Sequence, residues 1–177
     1  LPPEQVFKTL LADVETDGRR AKVVFGRDFT TDALRRDFTI NALLLSRDGT
    51  LHDPLGAMAD VTARRVRFIG DARARIREDY LRILRFFRFN ARFGKGAPHP
   101  ESLEACRARA NDLMALSRER IAMELLAILA LPDPADAIAL MIDNGIFRPV
   151  LPEIDDAAGL RRLVLREGGS RQRHGEY

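Results

Sequence analysis

The sequence is poor in residues that build covalent or metal frameworks. It holds one cysteine, Cys106, in 177 residues. No internal disulfide can form, and a reducing compartment fits. Its three histidines, His52, His99 and His174, are scattered, so no zinc spacing exists. No run approaches the roughly 18 apolar residues of a membrane span. No charged-then-apolar leader with a small-residue cleavage site is visible, and the expectation is a cytoplasmic protein. No internal repeat appears. Lysine is almost absent, with three among 29 basic residues. The basic character is therefore carried by arginine, whose planar fork matches phosphate, unless arginine is merely the coded default for a basic residue.

What is present is an apolar content of 46%, enough for a real core in one domain or two small ones. The formal net charge of +3 conceals a pattern. Residues 62–92 carry ten arginines against Asp71, Glu78 and Asp79, whereas residues 101–156 carry eleven acids against five arginines. A basic block beside an acidic one suggests a phosphate-binding face. Aromatic residues interleave with arginine only in REDYLRILRFFRF, Arg77–Phe89.

The pattern predicts an α+β, mostly α fold divided near Gly70. Residues 1–70 read as short strands at Val23–Phe25, Ala42–Ser46, Thr50–Pro54 and Val66–Ile69. Asp48-Gly49 forms a hairpin turn, and a short helix capped by Thr31 or Asp32 runs to Arg36. Residues 71–167 read as helices: Asp71 to about Phe93, Glu101–Leu116, a third capped by Ser117, a fourth capped by Asp133 and ended by Gly145, and a fifth over 155–166. Residues 168–177 read as a polar, disordered tail. The opening Leu fits a fragment or a processed product.

Three motifs carry chemistry. RRDFTINAL, Arg35–Leu43, sets a double arginine, Asp37 and Asn41 before a strand. These groups suit a triphosphate and a ribose, or simply cap a helix end. HDPLGAMAD, His52–Asp60, is a turn-rich connector holding Asp53, Gly56 and Asp60. EDYLR, Glu78–Arg82, lies within the predicted long helix, where Glu78, Asp79, Arg82 and Arg85 share an arc of about 120°. The simple reading is an Asp79–Arg82 ion pair at i,i+3. The functional one is base recognition. Cytosine and adenine each present an amino donor beside a ring-nitrogen acceptor, and guanine and uracil present the reverse. Aspartate only accepts and arginine only donates, so the pair suits C and A and rejects G and U. Arg85, one turn on, could reach phosphate.

RRDFTINA, DPLGAMAD, EDYLRILRFFRF and SRERIAMELL, in this order over roughly Val14–Glu153, resemble the bacterial class II tRNA nucleotidyltransferases (CCA-adding enzymes) and the related bacterial poly(A) polymerases. The resemblance implies a partial nucleotidyltransferase head over residues 1–70, then a helical, RNA-binding neck over 71–167. It implies that Asp79 and Arg82 read the base of ATP or CTP, and that Arg36, Asp37 and Asn41 hold sugar and phosphates with help from Arg85. Asp53, Gly56 and Asp60 match a flexible connector that reshapes the pocket. Ser117, Arg118, Arg120 and Glu124 match a structural motif of the neck. The implied partner is a tRNA 3′ end, with poly(A) synthesis from ATP alone as the alternative. A third reading, from another class, is a non-catalytic RNA- or nucleotide-binding helical module.

One departure matters. The family holds Mg²⁺ with a D-x-D after a GGxVRD signature, and nothing before Arg35 contains it. Asp13-Val14-Glu15 lacks the preceding glycine pair. The expectation is no catalytic carboxylate and no metal ligand in this sequence, with Mg²⁺ bound by a missing part of the head.

Overall fold

The computed structural model describes residues 10–14, 22–26, 29–45 and 49–173, with backbone only at 10–14, 22–26, 29 and 167–173. The fold is α+β and mostly α, and it divides into two compact units, residues 1–63 and 64–177.

In the first unit, β1 (Leu10–Val14) pairs antiparallel with β2 (Lys22–Gly26), in register from Leu10↔Gly26 to Val14↔Lys22. The run Val23–Phe25 lies in β2. Helix α1 (Phe29–Arg35) begins earlier than its expected Thr31 or Asp32 cap. A 3-10 turn, Thr39–Asn41, follows and leads into a short hairpin, β3 (Leu44–Leu45) with β4 (Leu51–His52). Both strands are shorter than their apolar runs. Of the expected turn, residues 46–48 lie outside the described residues, and Gly49 has a φ of +87°, the left-handed backbone such turns favour. A five-residue helix, α2 (Met58–Thr62), replaces the plain connector expected at that place. Ala33, Phe38, Ala42 and Ala57 are fully buried.

The second unit begins with Val66–Ile69, expected as a strand. Phe68 alone has bridge geometry there. The run is apolar because Val66, Phe68 and Ile69 are buried, with Phe68 stacked on Phe86 at 5.8 Å. Asp71 caps α3 (Ala72–Glu78) by accepting from the Ala74 N–H at 2.7 Å.

The expected continuous helix from Asp71 to Phe93 is broken. Asp79 is extended, with φ −157° and ψ 110°, and a second helix, α4 (Leu81–Phe93), starts after it. The Asp79 carboxylate accepts the Leu81 N–H at 3.0 Å, a bond in competition with helix continuation. The run 101–116 is also broken, into α5 (Pro100–Ala108) and a 3-10 turn over Ala110–Ala115. Ser117 caps α6 (Arg118–Leu129) as expected, and α7 (Ala135–Asp143) is followed by Gly145 at φ +69°. Helix α8 (Ala158–Arg173) runs through residues 168–173, which composition had marked as tail. Nothing local explains why two glycines stay helical there, at about 1 kcal/mol each relative to alanine.

Helix α4 is the centre of this unit. Ile83, Leu84, Phe86 and Phe87 are buried on it, with Ile76 of α3, Cys106 of α5, Ile128 of α6 and Met141 of α7 filling the same core. Its arginines stand at the edge of that core.

Candidate functional site

The candidate residues fall in both units, and each group is built locally. In the first unit, α1 ends at Arg35 and the chain turns sharply. Arg36 donates to the Asn41 carbonyl at 2.8 Å and to Asp32 at 2.7 Å. Asp37 is buried and accepts from the Asn41 amide at 2.6 Å and from the Phe38 N–H at 3.1 Å. Arg36, Asp37 and Asn41 therefore form one knot around the 3-10 turn. Within it the Asn41 Oδ1 is buried with no hydrogen-bond partner among the described residues. Such an orphan acceptor costs about 1–3 kcal/mol.

The connector residues have definite jobs. Asp53 caps α2 with both oxygens, accepting from Ala57 at 2.6 Å and Met58 at 2.9 Å. Gly56 has a φ of +66°, which the turn before the cap requires. Asp60 is fully buried and accepts from the Thr39 hydroxyl at 2.7 Å, tying α2 to the turn that carries Asn41.

In the second unit the break at Asp79 changes the geometry expected of a continuous helix. Asp79 does not pair with Arg82 as its i,i+3 neighbour. Its carboxylate meets Arg120 of α6, whose Nη2 lies 3.0 Å from Oδ1 and 2.9 Å from Oδ2. Arg82 instead donates to Glu78 at 2.5 Å and to the Arg75 carbonyl at 3.0 Å. Glu78 also accepts from Arg75 at 2.8 Å. Desolvation pushes the Glu78 carboxyl up, but the hydrogen bonds and charges of Arg82 and Arg75 outweigh it and leave its pKa below the usual value.

A carboxylate offers about four lone-pair positions. Leu81 and Arg120 use three at Asp79, two on Oδ1 and one on Oδ2. One position on Oδ2 is left to accept a further donor, on a side chain 35% exposed. Arg82 is held by Glu78 with its own side chain 15% exposed. Asp79, just before α4, and Arg82, in its first turn, are thus each fixed by a separate partner.

Arg85 lies 3.7 Å from Glu124 and over the Phe89 ring at 5.3 Å. Arg88 meets the same carboxylate at 2.7 Å. Arg120 and Glu124, one turn apart on α6, thus grip α4 at both ends of the motif. Sequence reading did not find these partnerships. Asp79 and Arg120 are 41 residues apart, so no spacing rule connects them. Arg75, Glu78 and Arg82 stand at i, i+3 and i+7, and that signal was readable. Among the described residues, no three His, Cys, Asp or Glu side chains come together as a metal site.

Two family signatures match the chain: "Poly A polymerase head domain" over residues 6–67 and "Probable RNA and SrmB- binding site of polymerase A" over residues 97–158. The chain is 46% identical over 161 residues to the mitochondrial CCA tRNA nucleotidyltransferase 1 of Danio rerio, covering 89% of this chain and 37% of that protein. It is 35% identical over 158 residues to a CCA-adding enzyme of Levilactobacillus brevis, covering 88% of this chain and 40% of that one. The crystal structure of the Bacillus stearothermophilus CCA-adding enzyme in complex with CTP is similar at a TM-score of 0.64 and 36% identity, covering 70% of this chain and 31% of that one. The Thermotoga maritima enzyme complexed with tRNA-CCA is similar at a TM-score of 0.62 and 27% identity, covering 70% and 31%. The chain therefore spans well under half the length of these relatives.

Proposed function

The chain belongs to the nucleotidyltransferase family of CCA-adding enzymes and poly(A) polymerases, and from that premise we propose that it carries the nucleotide-selecting part of an enzyme adding CMP and AMP to tRNA 3′ ends. The observation that carries this reading is the placing of Asp79 just before α4 and of Arg82 in its first turn, each held by its own partner. Asp79 keeps one acceptor position, and Arg82 is a donor locked by Glu78. An acceptor and a donor three residues apart, each held by its own partner, suit the Watson–Crick edges of C and A and oppose those of G and U.

Arg36, Asp37 and Asn41 serve the sugar and phosphates, and Arg85 assists at phosphate. Asp53, Gly56 and Asp60 form the connector that adjusts the first group. The head runs to residue 70 and the neck, with its RNA contacts, from 71 to 167. The single cysteine supports action in a reducing compartment such as the cytoplasm. No described helix is long and apolar enough to cross a membrane.

Nucleotidyl transfer in this family requires Mg²⁺, and the residues described here do not assemble a site for it. What these residues do is bind, select and orient the nucleotide.

Titration of the chain with ATP, CTP, GTP and UTP tests the reading. Binding of ATP and CTP alone is expected, and equal binding of all four would reduce the site to a phosphate patch. Poly(A) synthesis is the second reading, favoured by the head-domain match. Product length on a tRNA lacking its CCA separates them in the full-length enzyme: three nucleotides, or a long homopolymer.

A further inference from the structure

The far end of α4 has a composition that base selection does not use. From Arg82 to Pro100 the chain holds five arginines and lysines, four phenylalanines and no acid. The structure gathers part of this set at the C-terminus of α4. Phe93 is the last residue of the helix and is 42% exposed, a large aromatic ring left in water. Arg92 lies over that ring at 5.2 Å, and Phe89 contacts it at 5.6 Å. Phe89 in turn carries Arg85 at 5.3 Å and Arg88 at 5.0 Å.

A second strand of chain is fastened to this end. Arg64 has a φ of +51°, the one positive value among the described non-glycine residues. That backbone is uncommon for a side chain of this size. It is held because the Arg64 carbonyl accepts the Lys95 N–H at 3.0 Å and the Arg64 Nε donates to the Phe93 carbonyl at 3.1 Å. A guanidinium on the last carbonyls of a helix also complements the negative end of its dipole. Arg64, Arg92 and Lys95 are all exposed; Arg92 lies over the Phe93 ring, Arg64 holds the Phe93 and Gly94 carbonyls, and Lys95 follows two residues on. Backbone strain at a site of function is a recurring feature of folded proteins.

We propose that this end of α4 is a binding patch for single-stranded RNA, with Phe93 as a stacking platform for one unpaired base and Arg64, Arg92 and Lys95 on the flanking phosphates. Aromatic stacking plus a basic surround is the chemistry that holds single strands without regard to sequence. Eleven residues of helix separate Arg82 from Phe93, about 16 Å along the axis. The patch is therefore distinct from the base-reading pair, and its ligand is the polymer, not the nucleotide. That the polymer is an acceptor strand rests on the proposed function. The patch itself does not.

Fluorescence anisotropy of a labelled unstructured RNA 12-mer on the intact chain tests it. Phe93→Ala should weaken binding by about five- to a hundredfold and leave the slope of log affinity against log salt unchanged. Phe93→Leu keeps apolar bulk without the ring and should lose affinity equally, while Phe93→Tyr should keep it. Arg92→Gln with Lys95→Gln should flatten the salt slope by about 1.4. The ATP-to-GTP affinity ratio reads base selection separately, so failure of that reading and failure of the patch are distinguished. Wild-type affinity in Phe93→Leu, no RNA binding by the wild type, or equal affinity for a duplex of the same length would each overturn the proposal.

Discussion

At the scale of single residues, the side chains of the candidate site are each held by a specific partner. Arg120 is such a partner. Its pair with Asp79 is 47% and 35% exposed, and surface pairs contribute about 0–1 kcal/mol. Arg120→Gln should therefore cost under about 1 kcal/mol in thermal unfolding, yet relax the preference for ATP over GTP as Asp79 is released. A large stability loss with unchanged preference would contradict this. Glu78 gives a pH signature. Its folded pKa lies below the unfolded value, so its contribution to stability is full above the ordinary carboxylate range and is lost as pH falls through the folded pKa. In Glu78→Gln the acid limb of the stability–pH profile should be flatter below about pH 4.5. Cys106 is fully buried and its thiol is pushed well above its ordinary value by desolvation. It should react with thiol reagents at pH 8 only at the rate of unfolding. Asp79 and Arg82 stood out in the sequence because a carboxylate only accepts and a guanidinium only donates. The partners on α6 did not, because Arg120 and Glu124 reach α4 across 36 or more residues of chain.

At the scale of elements, the break between α3 and α4 is the informative feature. Apolar periodicity runs unbroken through Ile76, Ile83, Leu84 and Phe87, so the sequence reads as one helix. Periodicity reports which residues face the core, and both helices face the same core. The break is written in a side chain-to-backbone bond from Asp79 to Leu81, which periodicity cannot register. The same blindness missed α2, whose cap Asp53 precedes it by five residues within a turn. Caps with one clear polar residue at the junction, Asp71 and Ser117, were read correctly. Across α4 and α6, Glu124 is 12% exposed and meets both Arg85 and Arg88. Glu124→Gln removes the charge from a largely buried pair. It should lower stability by about 3 kcal/mol, measured by urea unfolding, whereas Glu104→Gln, in the exposed Arg107–Glu104 pair of α5, should change it by well under 1 kcal/mol.

At the scale of the whole molecule, the chain is two compact units, and its fold class was legible because the first 70 residues alternate short apolar runs with turn signals while the rest repeats at helical spacing. The charge asymmetry was legible too. Its meaning was not, since several arginines of the basic block are spent on Glu78, Glu124 and helix-end carbonyls. The central claim is that Asp79 and Arg82 choose the base. Asp79→Asn tests it most directly, because asparagine keeps the cap on Leu81 yet can donate as well as accept. Calorimetric titration of wild type and Asp79→Asn with ATP, CTP, GTP and UTP should show the ATP-to-GTP affinity ratio falling at least about tenfold in the variant, the scale of one good base contact. A ratio that stays constant while all four affinities fall together would show that Asp79 supports the fold or the phosphates and does not read the base.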